Sequence, residues 1–180
     1  MAAAPLHVAP ALVAELVAMI RRHAAALAAL ALVAGAAPLP AQTRAPKAVL
    51  ATAVETATVR PGRRATLTLK VTLPPEIHIQ SDKPRDPAFF PTALVLTPPA
   101  GLTVTATKYP PAVDFRQEGQ PEPLAVFEKT FTVTVSVAIA ASVKPGELIV
   151  PGRFDYQACD DKVCYRPIKT DVKWTLAVAP

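Results

Sequence analysis

The two cysteines of this chain, Cys159 and Cys164, stand with four residues between them in the stretch YQACDDKVCYRP. In an oxidising compartment two thiols so close together either close a structural hairpin staple or form a disulfide that is broken and remade. Closing so short a loop stabilises a fold by only ~2 kcal/mol on the chain-entropy account, less than a long-range clasp. The bridging cysteines of an antibody-type domain lie on facing sheets tens of residues apart, and these do not. Asp160, Asp161 and Lys162 between them and Arg166 beyond give the composition of an exposed loop. Exposure is what exchange requires, because an attacking thiolate must reach a disulfide sulfur. Reactivity also depends on a thiol pKa that residue types do not supply, so composition alone leaves both readings open.

Other chemistries have less behind them. Two thiolates, His78 and a carboxylate are a thin ligand set for a soft metal ion, since zinc sites use paired ligand motifs and only one cysteine pair is present. No metal and no cofactor are expected. Once the amino-terminal segment is set aside, His78 is the only histidine. It sits in the strand-like segment EIHIQ, where a hydrogen-bonded structural role is expected rather than a Ser/His/Asp triad. Six glycines in the whole chain, none in a phosphate-loop pattern, give no support for nucleotide binding.

The elements that must position the cysteines begin after a leader. Residues 19–41 read MIRRHAAALAALALVAGAAPLPA: two arginines, an apolar run from Ala24 to Ala37, then small residues and prolines. This is a secretory signal pattern, and the apolar run is shorter than the ~20 residues a membrane-spanning helix needs. Residues 1–41 are therefore read as a signal peptide cleaved after Ala41, with Met19 the expected initiator because MIRRH makes a compact basic head. No stable membrane span is expected after cleavage. Residues 42–47 form a short linker and residues 48–178 the domain. The mature chain carries 17 Lys and Arg against 13 Asp and Glu, thinly spread and without basic runs interleaved with aromatics, so nucleic-acid binding is not expected.

From Ala48 onward the dominant period is two. In ATLTLKVTL, Ala65, Leu67, Leu69, Val71 and Leu73 alternate with Thr66, Thr68, Lys70 and Thr72, as a strand with one buried face requires. FTVTVSV repeats this, with Phe131, Val133, Val135 and Val137 on the inner side. Further runs at 49–59, 92–96, 102–107, 148–158 and 172–178 are rich in β-branched or aromatic residues and bounded by Pro/Gly signals. No amphipathic helix of ten residues is legible, and many prolines would interrupt one. Short strands at this spacing predict an all-β, immunoglobulin-like antiparallel sandwich. Trp174, Phe131, Phe154 and Tyr156 are expected in its core. The segment PPAVDFRQEGQPEPLAVF, residues 110–127, has no period and is long for a hairpin connection, which marks it as a structured functional loop or a mobile one.

FDYQACDDKVCYRPIKT, together with PGELIVPGR, KYPPAVDF and VFEKTFTVTVSV, resembles the amino-terminal periplasmic domain of the DsbD family of thiol:disulfide interchange proteins over about residues 48–178. The most specific part is Tyr-Gln-x-Cys followed shortly by Cys-Tyr-x-Pro. The resemblance implies an immunoglobulin-like periplasmic domain that carries two electrons through its cysteine pair. Cys159 and Cys164 then take the redox positions, Cys164 is the sulfur that joins partners in mixed disulfides, and Tyr156, Gln157, Tyr165 and Pro167 are framing residues. Phe115, with Leu124 as the alternative, matches the aromatic of the cap loop that shields the cysteines. Periplasmic thiol or thioredoxin-like proteins are implied as electron donor and acceptor, with the chain acting as a monomer. This chain has one residue fewer between its cysteines than the best-known members. It ends at Pro180 without the membrane and thioredoxin-like portions, so its donor is expected to be a separate protein.

Two function classes follow: an electron-carrying thiol:disulfide oxidoreductase, or an exported immunoglobulin-like binding module with a structural hairpin disulfide. The redox potential of the pair separates them.

Overall fold

The computed structural model describes Met19, residues 44–56 and residues 58–180. The expected signal peptide apart from Met19, its cleavage point and the first two residues of the linker lie outside the described residues. From residue 44 onward the described chain contains no helix and has eleven strands. These are β1 (Val49–Val54), β2 (Arg64–Thr72), β3 (His78–Gln80), β4 (Ala93–Leu96), β5 (Leu102–Lys108), β6 (Val113–Phe115), β7 (Leu124–Glu128), β8 (Thr130–Ile139), β9 (Gly146–Tyr156), β10 (Ala158–Cys159) and β11 (Ile168–Val178). They form three antiparallel sheets, ordered β1-β2-β8-β5, β11-β9-β4 and β10-β3-β7-β6. The domain is an all-β, immunoglobulin-like sandwich, as the alternation predicts.

The two strongest alternating runs pair with each other. Opposite one another in β2 and β8 stand Leu67 and Val135, Leu69 and Val133, Val71 and Phe131. All six are buried, whereas Lys70 and Thr132 face solvent. Residues directly opposite in an antiparallel pair share a face, so the register lines one side with apolar groups. Against it packs the β11-β9-β4 sheet through Val150, Phe154, Trp174 and Leu176. Trp174 joins the two layers, its indole N–H donating to the Thr68 carbonyl at 2.8 Å. Gly152 makes room for that ring: a Cβ there would meet Trp174 Cζ3 at 3.1 Å and the Val95 carbonyl oxygen at 3.2 Å. Tyr156, also buried, accepts from the Ala48 amide at 2.9 Å and secures the start of the domain.

Three expectations are corrected. Residues 110–127 are not all loop: two strands, β6 and β7, form a hairpin there, with Val113, Asp114 and Phe115 opposite Val126, Ala125 and Leu124. Leu124, Ala125, Val126 and Phe127 are all buried, so both faces of β7 are covered and no alternation shows, while β6 is too short to display a period. The run at 49–59 stops at Val54, and Val59 instead makes an isolated parallel bridge to Val178. The run at 148–158 is interrupted at Gln157, which separates β9 from β10. Lys129 then connects the small sheet to the large one in a left-handed conformation, φ 55°, between the end of β7 and the start of β8.

Candidate functional site

Cys159 ends the two-residue strand β10, whose partner is β3, with Ala158 opposite Ile79 and Cys159 opposite His78. After Cys159 the chain turns back at once, so that Cys164 faces Cys159 in an antiparallel bridge with a Cα–Cα distance of 4.0 Å, and the two are joined by a disulfide. Backbone bonds close the turn independently of the sulfurs: Asp160 N–H to the Val163 carbonyl at 3.0 Å, and Tyr165 N–H to the Ala158 carbonyl at 2.8 Å.

Asp160 organises this turn. Its Oδ1 accepts from the amides of Lys162 (2.9 Å) and Val163 (2.8 Å), and its Oδ2 accepts from the Tyr165 hydroxyl at 2.7 Å. An aspartate bonding its own downstream amides is a standard turn former. The Tyr165 hydroxyl first, then the two amides, hold the carboxyl below the usual aspartate range. Gln157 braces the turn from behind, donating to the Tyr165 carbonyl at 3.0 Å and accepting from the Phe90 amide at 3.2 Å.

The two sulfurs differ in access. Cys159 is fully buried, a departure from the exposed loop that its neighbours' composition predicts. Cys164 is half-buried, and only Asp161, Lys162 and Val163 at the tip are exposed. The difference follows from β10: pairing with β3 draws Cys159 into the small sheet, and Cys164 sits at its outer edge.

The small sheet has two distinct faces. Ala158, Ile79 and Phe127 stand in one cross-strand row and belong to the main hydrophobic core. The neighbouring row, Cys159, His78 and Glu128, points the other way, as does Gln80 two residues along. On that second face the ring of Phe115, carried by β6 at the far edge of the same sheet, lies on the His78 ring with centroids 4.0 Å apart, and Gln117 shortly after it is buried. Gln80 Nε2 lies 4.0 Å from Cys159 Sγ, at hydrogen-bond reach for sulfur. A cleft of about 660 Å³ opens alongside, lined among others by Pro74, Glu76, His78, Phe115, Glu128 and Asp161.

Of the residues singled out in the sequence, the fold thus gathers Cys159, Cys164, Gln157 and Tyr165 around one turn, and Phe115 lies on His78, the cross-strand partner of Cys159. Leu124 is buried opposite Phe115 in the hairpin. Tyr156 points into the core and Pro167 is exposed, and neither makes a hydrogen bond to the turn. His78 is not the satisfied structural histidine that its segment predicts, because its Nε2 is buried without a partner. Gln80 escaped sequence reading altogether; the one signal for it was its place two residues from His78 on the same face. Among the described residues no cluster of three or more His, Cys, Asp or Glu is placed to hold a metal ion.

Residues 46–176 match the family model described as "Thiol:disulfide interchange protein DsbD, N-terminal". Among solved structures, the chain is similar to the N-terminal periplasmic domain of ScsB from Proteus mirabilis, at 16% identity and a TM-score of 0.47, covering 71% of this chain and 46% of that one. It is also similar to BcpA, the major pilin subunit of Bacillus cereus, at 11% identity and a TM-score of 0.43, covering 74% of this chain and 40% of that one. The chain thus spans less than half the length of either. No curated protein matches it significantly.

Proposed function

The chain belongs to the DsbD N-terminal family, and from that membership we propose that it is a periplasmic thiol–disulfide exchange domain, exported by its signal peptide, that carries two electrons through Cys159 and Cys164. The observation that carries this reading is the asymmetric disulfide: one sulfur buried in the small sheet, the other half-buried at its edge. The half-buried outer cysteine is the one an incoming thiolate can reach.

A donor thiolate attacks Cys164 Sγ, a bond forms between donor and Cys164, the Cys159–Cys164 bond breaks, and Cys159 leaves as a thiolate. The donor's second thiol then attacks the donor sulfur, releasing Cys164 and leaving the donor oxidised. The domain now holds two electrons and, after protonation, two hydrogens. Delivery runs the same way: Cys164 attacks an acceptor disulfide, and Cys159 resolves the adduct by attacking Cys164, which reduces the acceptor. Thiol or thioredoxin-like proteins of the periplasm are the donor and acceptor. The Phe115 hairpin serves as a cap that limits access of unrelated oxidants to Cys159, and Gln157 and Tyr165 hold the turn in position.

Cys159→Ser is expected to accumulate mixed disulfides with periplasmic thiol proteins on non-reducing gels, and Cys164→Ser to trap none. The reverse pattern would exchange the roles of the sulfurs. Full burial of Cys159 also suits a second reading, an exported binding module with a hairpin staple, and that becomes the better account if neither variant traps an adduct.

A further inference from the structure

We infer that His78, seated with Gln80 on the face that carries Cys159, is the group that takes and returns the proton of the Cys159 thiol. This rests on the exchange reading above and assigns the proton step that reading leaves open.

The argument begins with the register. Cys159 and His78 are direct cross-strand partners, so their side chains leave the sheet on the same side, with Cβ atoms about 5 Å apart. Gln80, on that side too, aims an amide N–H at Cys159 Sγ from 4.0 Å. His78 is 1% exposed, with the Phe115 ring on it, and Gln80 is fully buried; both leave the sheet on the side opposite Ile79 and the main core. An apolar side chain at position 78 would pack under Phe115 without cost. Instead His78 Nε2 and Gln80 Oε1 are buried and unpartnered, and groups so placed are expensive unless something else uses them. When the disulfide opens, a thiol S–H appears on this same face.

Burial favours the neutral imidazole, the form that can accept a proton. Glu128 stands opposite it on β7, Asp160 and Asp161 lie in the cysteine turn, Glu76 precedes β3, and Lys129 follows β7. Burial is the largest influence and lowers the imidazole pKa from its ordinary value. The opposing influences, in order, are Gln117, Glu128 and Asp160. Gln117 approaches the ring without closing a good hydrogen bond, since its Oε1 is itself buried and unpartnered.

In the resolving step Cys159 S–H gives its proton to His78, and the thiolate attacks Cys164 Sγ. The Cys159–Cys164 bond forms, the Cys164–partner bond breaks, and the electron pair leaves on the partner's thiolate. In the opposite direction the proton lost by the attacking donor thiol passes through solvent to His78, the imidazolium hands it to the Cys159 thiolate expelled from Cys164, and the Gln80 N–H meets the transient charge on sulfur. Without such a partner a buried thiol ionises only at raised pH.

The test follows reduced protein reacting with oxidised glutathione between pH 5.5 and 9, with acid-quenched samples read by mass spectrometry. The wild-type chain should resolve its glutathione adduct at a rate that levels off by neutral pH. His78→Gln should accumulate the adduct near pH 6.5, resolve it about tenfold or more slowly, and converge on wild type at the alkaline end. Identical pH profiles for the two overturn the inference. A second readout needs no variant: the His78 imidazole titration by NMR in oxidised and reduced wild-type protein should show different midpoints, because coupled groups shift one another reciprocally. Equal midpoints overturn the inference even where His78→Gln fails to fold. Failure of the exchange reading is seen separately, when wild-type protein reacts with glutathione yet neither Cys159→Ser nor Cys164→Ser traps a thiol protein.

Discussion

A domain that shuttles electrons must stay folded in both redox states, whereas one stapled by its disulfide need not, and the size of the staple follows from the structure. The bridge joins residues only five apart in sequence. On the chain-entropy account a loop this short contributes about 2 kcal/mol at 25 °C, the low end of what disulfides give. Even that is an upper figure here. Two backbone hydrogen bonds, Asp160 to Val163 and Tyr165 to Ala158, together with the Asp160 side-chain bonds, hold the turn closed whether or not the sulfurs are joined. A domain of this size has a total stability of about 5–15 kcal/mol, so the reduced form stays folded. The assay is urea unfolding with and without dithiothreitol, read by fluorescence of Trp174, the only tryptophan, which is buried and bonded across both large sheets. With a slope of about 2 kcal/mol/M, reduction should lower the midpoint by about 1 M or less and leave the slope unchanged. A loss of about 5 kcal/mol or more, or outright unfolding on reduction, would refute the reasoning and make the pair a staple.

Gly152→Ala forces a Cβ against Trp174 Cζ3 and the Val95 carbonyl, and should cost about 1–3 kcal/mol in urea unfolding while leaving the exchange chemistry unchanged. Phe115→Ala uncovers His78 and should speed reduction of the disulfide by dithiothreitol, measured by thiol release; an unchanged rate would remove the cap role. Asp155 is held below the ordinary aspartate range, first by its paired hydrogen bonds from Arg153 at 2.7 and 2.9 Å. Its folded pKa is depressed, so its contribution is present above the unfolded value near 4 and lost as pH falls through the folded one. Asp155→Asn should therefore melt earlier than wild type at pH 6, and the gap should narrow in melts taken at progressively lower pH.

What the sequence determined by itself was local. The alternation in ATLTLKVTL and FTVTVSV assigned the buried faces of β2 and β8, because a strand's period of two is written in adjacent residues and needs no partner to be read. The closeness of Cys159 and Cys164 was likewise guaranteed by their spacing. What only the tertiary structure decided was the surroundings of those sulfurs. β3 lies about eighty residues before the cysteines, and the hairpin that extends its sheet about forty; neither shows a period, since β3 and β7 are buried on both faces and β6 is three residues long. Their pairing alone puts His78 opposite Cys159, Gln80 within reach of its sulfur and Phe115 on the His78 ring, and so makes one cysteine buried and the other half-buried at the sheet edge. An exposed-loop composition cannot reveal that asymmetry, because burial of Cys159 is imposed by a strand partner distant in the chain rather than by its own neighbours.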